Sequence, residues 1–150
     1  MKMVNTYNIV VDTREQKPLW RKNIISKKLD VGDYSIEGHE DKITIERKSP
    51  GDLYGTLLSG HKRFKKELER AKSYKYFAII VECSYTSFID KTFDNSIFCK
   101  KPSYILTSIL FTIHVKYGIN IFFSNGRIET KRIIKEILNA YNKIYIKEYI

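Results

Sequence analysis

The residues of this sequence with the clearest potential for chemistry are two acids and a lysine in its first third, Asp33, Glu46 and Lys48. One residue separates Glu46 from Lys48, so on a β-strand both side chains lie on the same face. Two carboxylates can hold a divalent cation, and a lysine beside them can steady an attacking water and the charge that develops on a phosphoryl group. These residue types at this spacing predict a metal-dependent phosphodiesterase site.

The segment Ile43–Lys48 must position two of these residues, and its pattern is that of a half-buried strand. The apolar side chains at 43 and 45 alternate with Thr44 and Glu46. If the strand continues to Lys48, Arg47 shares the face of the isoleucines, opposite to Glu46 and Lys48.

A helix is predicted directly after this strand, from about residue 49 to 58. Ser49 can cap it, Pro50 can occupy its first position, and Asp52 falls at its third. An acid and an amine therefore emerge together at a strand end, which is where α/β sheets usually build their sites.

A hairpin would bring the second carboxylate to the same place. Asp33 follows Gly32 at the start of a predicted strand over 33–37, and the polar turn Gly38–Asp41 is short enough to lead directly into the next strand. Antiparallel pairing would then place Asp33 and Glu46 at matching ends of adjacent strands, despite their separation in sequence.

Asp12 has two interpretations. It ends a predicted first strand over 7–12, whose Val10 and Val11 indicate a strand covered on both faces. Asp12 is either a third carboxylate and metal ligand at the same sheet edge, or a turn residue after the strand. A second short element, strand or helix, is predicted over 24–29.

The rest of the chain predicts alternating helices and strands. The sequence therefore indicates an α/β fold, a mixed central β-sheet flanked by helices, in a single domain over residues 1–150. The predicted elements are a helix over about 61–73, an almost wholly apolar strand over 76–82, a loop over 83–101, a helix from Pro102 over about 103–116, a strand over 119–123 and a final helix carrying Ile134, Ile137, Leu138, Tyr141 and Tyr145 on one face.

The net charge of +10 suits a polyanionic partner, most simply nucleic acid. The helix over 61–73 concentrates this charge directly after the candidate site, and it is either a phosphate-binding surface or a solvated face. Its candidate DNA-binding residues are Lys62, Arg63, Lys65, Lys66 and Arg70.

The sequence carries no sign of secretion or of a membrane span. Cys83 and Cys99 lack the spacing of metal ligands and are expected to be reduced thiols. The longest apolar run, Tyr104–Val115, is too short to cross a bilayer, and no cleavable signal precedes the first strand. We expect an intracellular protein, cytoplasmic in a bacterium or virus-infected cell, or nuclear in a eukaryote.

Three motifs in this order resemble the XPF-type structure-specific endonuclease domain, a branch of the restriction-endonuclease-like fold. The resemblance is dense from Val10 to Arg70, and beyond that only the order of elements matches. The motifs are Val11-Asp12-x-Arg14-Glu15, Gly32-Asp33-Tyr34 and Glu46-Arg47-Lys48-x-x-x-Asp52, and Arg63-Phe64 and Glu67-Leu68 also fit the pattern.

The resemblance implies a role for each motif residue. Asp33 and Glu46 would ligate Mg²⁺ or Mn²⁺ with the Arg47 carbonyl nearby, and Lys48 would assist the water. Asp12, Arg47 and Asp52 would be needed in or just behind the site, although Asp52 can also be read as part of the helix cap alone. Arg14 and Glu15 are expected to support the loop as an ion pair.

The function predicted on this basis is that of a Mg²⁺- or Mn²⁺-dependent DNA endonuclease. Its expected substrates are branched DNA or single-strand/double-strand junctions in repair, recombination or replication. The alternative is a catalytically silent DNA-binding or dimerisation subunit, but such subunits usually lose the acids that this chain keeps. A basic RNA-associated protein would leave the three motifs unexplained.

The resemblance also raises the question of assembly. Cellular family members carry a helix-hairpin-helix module after the nuclease domain, whereas this sequence ends with its last predicted helix, so a stand-alone nuclease is expected. Such a domain would act as a homodimer or with a partner subunit. Tyr104, Phe111, Tyr141 and Tyr145 are expected to form an exposed dimer surface. The alternative is that they complete a monomer core.

Overall fold

The computed structural model describes residues 6–59, 61–93 and 103–147. Within this part of the chain, six strands form one sheet in the order β2-β1-β3-β4-β5-β6. The strands are β1 (Ile9–Val11), β2 (Ile24–Ser26), β3 (Tyr34–Ile36), β4 (Ile43–Lys48), β5 (Tyr76–Val81) and β6 (Asn120–Phe123). The helices are α1 (Pro50–Leu58), α2 (His61–Ala71), α3 (Tyr85–Ile89), α4 (Ser103–Tyr117) and α5 (Arg127–Tyr141), followed by a π-helical segment, Asn142–Ile146.

The direction of the strands decides where a site can form. β3 is antiparallel to both of its neighbours, whereas β1 and β2 are parallel and β4, β5 and β6 are parallel. The carboxyl ends of the other five strands therefore meet at one edge of the sheet, where β3 begins. The predicted mixed sheet with flanking helices is confirmed.

The two faces of the sheet carry separate cores, because neighbouring residues of a strand point in opposite directions. Phe77, Ile79 and Val81 of β5 pack in one cluster with residues of α1, α2, α3 and α4. Ala78 and Ile80 pack in the other, with residues of α5 and the loop after β1. The almost wholly apolar sequence of β5 follows from this burial on both faces.

The predicted hairpin and helix cap are both present. β3 and β4 pair antiparallel with Tyr34 opposite Ile45, and Gly38 adopts φ +85° in the turn between them. Ser49 caps α1 by accepting a hydrogen bond from the Asp52 backbone N–H at 3.1 Å, and Pro50 is the first helical residue.

The loop predicted over 83–101 is wrong in part, since it contains α3. Ser84 caps this short helix by accepting a hydrogen bond from the Ser87 backbone N–H at 3.0 Å, and Phe88 is fully buried between the other aromatic side chains of its cluster. Five residues are too few to show helical periodicity in a sequence. The capping serine and one buried aromatic ring were therefore the only features of the sequence that could have indicated this helix. Cys99 and residues 94–102 lie outside the described part of the chain.

The helix predicted over about 103–116 is confirmed as α4, and it buries an apolar stripe. Leu106, Leu110 and Ile113 are buried, and Gly118 ends the helix with φ +63°. Among the described residues, no helix combines the length and the apolar character that crossing a bilayer requires.

The single exposed aromatic surface predicted from four residues is wrong. Tyr141 is 4% exposed and packs against His39, whereas Tyr104 is 72% exposed. Tyr104 and Phe111 lie on α4, and Tyr145 follows α5, so they belong to helices on opposite faces of the sheet. Sequence spacing gives the stripe of each helix but not the face of the sheet on which that helix packs.

Candidate active site

An open cavity of about 730 Å³ lies where α1 and α2 cover the carboxyl end of β4. Asp33, Glu46 and Lys48 all line it, as does Asp52 from the first turn of α1. The structure thus brings together the residues that the sequence singles out.

The backbone around Gly32 fixes the position of Asp33. The Asp33 N–H donates to the Ile45 carbonyl at 3.0 Å, and the Asp33 carboxylate accepts from the Arg47 N–H at 2.8 Å. Gly32 has φ +75°, and a Cβ there would lie 2.8 Å from Thr44 Oγ1, so only glycine fits. The hairpin itself therefore aims this carboxylate into the cavity.

Glu46 and Lys48 project from the same face of β4 into the cavity. Their charged ends are 3.8 Å apart, and the Lys48 ammonium lies 5.2 Å from the centre of the Phe64 ring. Glu46 Oε2 is buried and lacks a hydrogen-bond partner. A buried acceptor without a hydrogen bond is costly, and a bound cation would satisfy it.

Glu67 of α2 is a site residue that the sequence analysis left out of the predicted ligands. It lines the cavity and lies close enough to Glu46 to raise the pKa of that carboxyl. On α2, Glu67 follows buried Phe64 by three positions and precedes buried Leu68, which places it beside the buried stripe. That position was the available signal, but the many lysines of the helix obscured it.

Two acids of the cavity, Asp33 and Glu46, have pKa values above those of free carboxyls. Burial raises the pKa of Asp33 from 3.8 to about 7; the hydrogen bond from the Arg47 N–H lowers it, and the negative charges of Glu15, Asp12 and Glu67 raise it further. Burial, then Glu67, raises the pKa of Glu46 well above its usual value, and the nearby Lys48 offsets only part of this.

The donor set fits a divalent cation. Carboxylate oxygens are the ligands that Mg²⁺ and Mn²⁺ prefer, and a cation between Asp33, Glu46 and Glu67 would replace the protons that like-charged neighbours otherwise need. Within the described ranges, no group of three or more His, Cys, Asp or Glu residues is arranged so that it could hold a metal ion without rearrangement. Side-chain adjustment would therefore accompany binding.

Asp12 does not reach the cavity, where the sequence analysis expected a third ligand. Its buried carboxylate accepts from the Arg14 Nε at 2.8 Å, from the Arg14 backbone N–H at 2.8 Å and from the Leu29 N–H at 2.7 Å. Burial alone would raise the pKa of Asp12, but these hydrogen bonds and the Arg14 charge hold it below its usual value. With its oxygens occupied, Asp12 braces the loop behind the cavity, as the turn interpretation predicts.

The expected ion pair between Arg14 and Glu15 is wrong, because each residue pairs elsewhere. Arg14 binds Asp12, whereas Glu15 accepts from the Tyr34 hydroxyl at 3.1 Å and lies 3.9 Å from Arg47. Both residues still support the loop after β1, as the sequence analysis expected.

Arg47 points away from the cavity, onto the face of the sheet that α5 covers. Its Nε donates to Glu82 Oε1, its Nη2 donates to Glu82 Oε2 at 3.2 Å, and its Nη1 donates to the Lys17 carbonyl at 2.6 Å. The Arg47 backbone N–H nevertheless holds the Asp33 carboxylate. The structure therefore places the side chain just behind the site, where it joins β4 to β5 and to the loop after β1.

The cations of α2 form a rim on the cavity. Arg63, Lys66 and Arg70 line it, whereas Lys62 and Lys65 are exposed on the same helix outside the lining. A polyanion held along this rim would lie directly above the carboxylates.

The comparisons with known proteins agree with this fold. The model of the ERCC4 domain matches residues 11–137. A solved structure, XPF from Aeropyrum pernix, is similar with a TM-score of 0.70 and 22% identity, over 91% of this chain and 66% of that one. A second, described as XPF from Aeropyrum pernix in complex with DNA, gives a TM-score of 0.68 and 22% identity over 95% and 68%. This chain thus spans about two thirds of their length, and no curated protein sequence matches it significantly.

Proposed function

Because this chain belongs to the ERCC4 domain family, we propose that it is a metal-dependent DNA endonuclease that hydrolyses phosphodiester bonds in branched or structured DNA. The observation that carries the proposal is the convergence of Asp33, Glu46 and Lys48 in one cavity, with a buried Glu46 oxygen that lacks a hydrogen bond. Branched DNA as the substrate, and repair or recombination as the setting, are parts of the same proposal.

The position of each residue in the cavity indicates its role in cleavage. Asp33 and Glu46 would hold Mg²⁺ or Mn²⁺, with Glu67 as an additional acid beside Glu46. When bound, the cation supplies a Lewis acid for the phosphoryl oxygen. Lys48 stands 3.8 Å from Glu46, where its ammonium can orient an attacking water and stabilise the negative charge of the transition state.

The surrounding residues hold the DNA and the hairpin in place. Arg63, Lys66 and Arg70 would contact phosphates on either side of the scissile bond, since they line the same cavity. Asp12, Glu15 and the Arg47 side chain would act as positioning residues behind the site, and Arg14, which lines the cavity, would position the loop by holding the Asp12 carboxylate. Asp52 stays a candidate for a direct role, because it lines the cavity as well as standing in the first turn of α1.

The proposal is tested by incubating the purified protein with supercoiled, branched and single-stranded DNA, in Mg²⁺ or in EDTA. We expect cleavage that EDTA abolishes, and we expect Asp33→Asn and Glu46→Gln to bind DNA without cutting it. Glu69→Gln, which neutralises an exposed acid on α2, is the matched control and should cut normally. DNA binding without cleavage by the wild-type protein, in Mg²⁺ and in Mn²⁺, would favour the catalytically silent subunit instead.

We also propose that the protein pairs with a second copy or a partner subunit through α4. This helix exposes Tyr104, Phe111 and Val115, of which Val115 is 79% exposed. Large apolar side chains on one exposed helix are typical of an interface. Light scattering at micromolar concentration tests the homodimer, which should have about twice the 17.7 kDa mass of one chain and should be lost in Phe111→Lys. A mass of one chain throughout, with full activity on branched DNA, would contradict pairing.

A further inference from the structure

A second groove, of about 700 Å³, lies at the same edge of the sheet but on the face that α5 covers. The loop after β1 forms one wall and the first turns of α5 form the other. The exposed cations of the groove are Arg21, Lys22, Arg127 and Lys131. Its lining also includes two large apolar side chains, Trp20 and Ile128. The proposed cleavage mechanism uses none of these six residues.

Hydrogen bonds join the two walls of the groove, and further contacts fix the loop wall to the core. The Arg127 guanidinium donates to the Lys17 carbonyl at 2.9 Å and to the Pro18 carbonyl at 2.6 Å. The Leu19 N–H donates to the buried Tyr34 hydroxyl at 3.0 Å, and the Trp20 ring packs edge-on against Tyr34 at 5.6 Å. The loop wall is therefore fixed to the core of the protein before any ligand arrives.

The chemistry of the lining favours an unpaired nucleic-acid strand. Among the described residues that line the groove four are cationic and none is acidic, which suits the phosphates of a polyanion. The Lys131 ammonium lies 5.4 Å from the centre of the partly exposed Trp20 ring, and Ile128 is 85% exposed. Cations that follow a backbone, next to an aromatic ring on which a base can stack, are the features of single-strand binding. In a duplex the base faces are stacked on one another and are not available to these apolar side chains.

The groove is also connected to the cavity that holds the carboxylates. The Lys17 carbonyl accepts from Arg127 in the groove wall and from Arg47, which stands between Glu46 and Lys48 on β4. The groove is therefore linked, through one backbone carbonyl, to the strand that carries Glu46 and Lys48.

We infer that this groove binds a single-stranded DNA segment, through phosphate contacts to its four cations, base stacking on Trp20 and apolar contact with Ile128. The inference rests on the proposed function, because it takes DNA as the ligand, and it adds a binding site for an unpaired strand outside the cleavage cavity. A strand that leaves the cleavage cavity would be held here, so that cutting is directed to the boundary between duplex and single strand.

The sole tryptophan of the chain makes a direct test possible, because Trp20 reports on its own surroundings. The measurement is quenching of Trp20 fluorescence by a short oligothymidylate in EDTA, where cleavage plays no part. We expect quenching that saturates, and weaker quenching by a blunt duplex of the same length. If the oligonucleotide leaves the tryptophan fluorescence unchanged, the inference is wrong, and a protein partner becomes the better candidate ligand for the groove.

Two charge-matched double variants locate the binding site. Lys22→Ala with Lys131→Ala removes two groove cations without altering the core, and it should lower the slope of log affinity against log salt by about 1.4 for a single strand. Lys42→Ala with Lys116→Ala removes two exposed cations near the opposite edge of the sheet and should leave the affinity unchanged within about twofold. An equal loss of single-strand affinity in both double variants would contradict binding at the groove.

Cleavage assays separate this inference from the proposed function. If the wild-type protein cuts DNA in Mg²⁺ and Lys22→Ala with Lys131→Ala retains its preference for substrates with a single-stranded arm, the groove inference is wrong and the nuclease stands. If the wild-type protein fails to cut any DNA but its tryptophan responds to the oligothymidylate, the cleavage proposal fails and the groove stands.

Discussion

The buried carboxyl of Asp33 gives the sharpest prediction, because ionising it should cost stability when no cation is bound. Its pKa rises from 3.8 to about 7 on folding, mainly through burial. The folded protein therefore binds this proton more tightly than the unfolded chain does. The associated stability is fully present below about pH 4 and is lost as the pH rises to about 7. Asp33→Asn keeps an acceptor for the Arg47 N–H but carries no charge, so it should escape this loss.

The magnitude follows from the same two pKa values. At ~1.4 kcal/mol for each pH unit between 3.8 and about 7, the upper limit is ~4 kcal/mol. Since the cavity is open to solvent, we expect Asp33→Asn to be more stable than the wild-type protein by about 2–4 kcal/mol at pH 8 in EDTA. The advantage should shrink toward zero as the pH falls below 4, where the wild-type carboxyl becomes protonated in the unfolded chain as well as in the folded state.

Urea denaturation of both proteins across this pH range, in EDTA, measures the difference. Asp30→Asn is the matched control, because it neutralises an exposed acid on the wall of the same cavity. Adding Mn²⁺ at pH 8 should stabilise the wild-type protein and not Asp33→Asn, since only the former keeps both ligands. A variant no more stable than the wild-type protein at pH 8, or an advantage that stays constant from pH 4 to pH 8, would refute the reasoning.

Three further predictions follow from the geometry of the site. Gly32→Ala should cost ~2 kcal/mol or more in urea denaturation, because its Cβ would meet Thr44, and it should cost more than Gly38→Ala, where φ is also positive but the space is open. Arg47→Ala should cost ~1.5–3 kcal/mol by leaving Glu82 unpaired, yet calorimetry should show unchanged Mn²⁺ affinity, because the Arg47 side chain lies on the opposite face from the cavity. Lys65→Ala with Lys66→Ala should lower the salt slope of duplex binding by about 2, and an unchanged slope would reduce α2 to a solvated face.

Much of the candidate site was predictable from the sequence because its central part is local. Alternating side chains put Glu46 and Lys48 on one face of β4, and the short connection between β3 and β4 sets the register that brings Asp33 beside them. Ser49 and Pro50 fix the start of α1 in the same way. In each case the interacting residues are close in sequence, or a short hairpin joins them, so a pattern of residue types contains enough information.

Contacts between distant segments were not predictable in this way. Glu67 meets Glu46 only because α2 packs back over β4, and Arg47 finds Glu82 only because β4 and β5 lie side by side. The sequence could not show which partner Asp12 or Glu15 would choose, since several charged residues were available to each. Packing decided these pairs, because a buried charged group needs an ion-pair or hydrogen-bond partner, and the fold determines which groups lie close enough.

The sequence by itself thus determined the type of chemistry and the elements that carry it. Only the tertiary structure decided which of the acids face the cavity, on which face of the sheet each helix packs, and that Trp20 and Lys131 meet across a groove. These features depend on contacts between residues far apart in the chain, and such contacts form only when burial of apolar surface on both faces of the sheet brings the segments together.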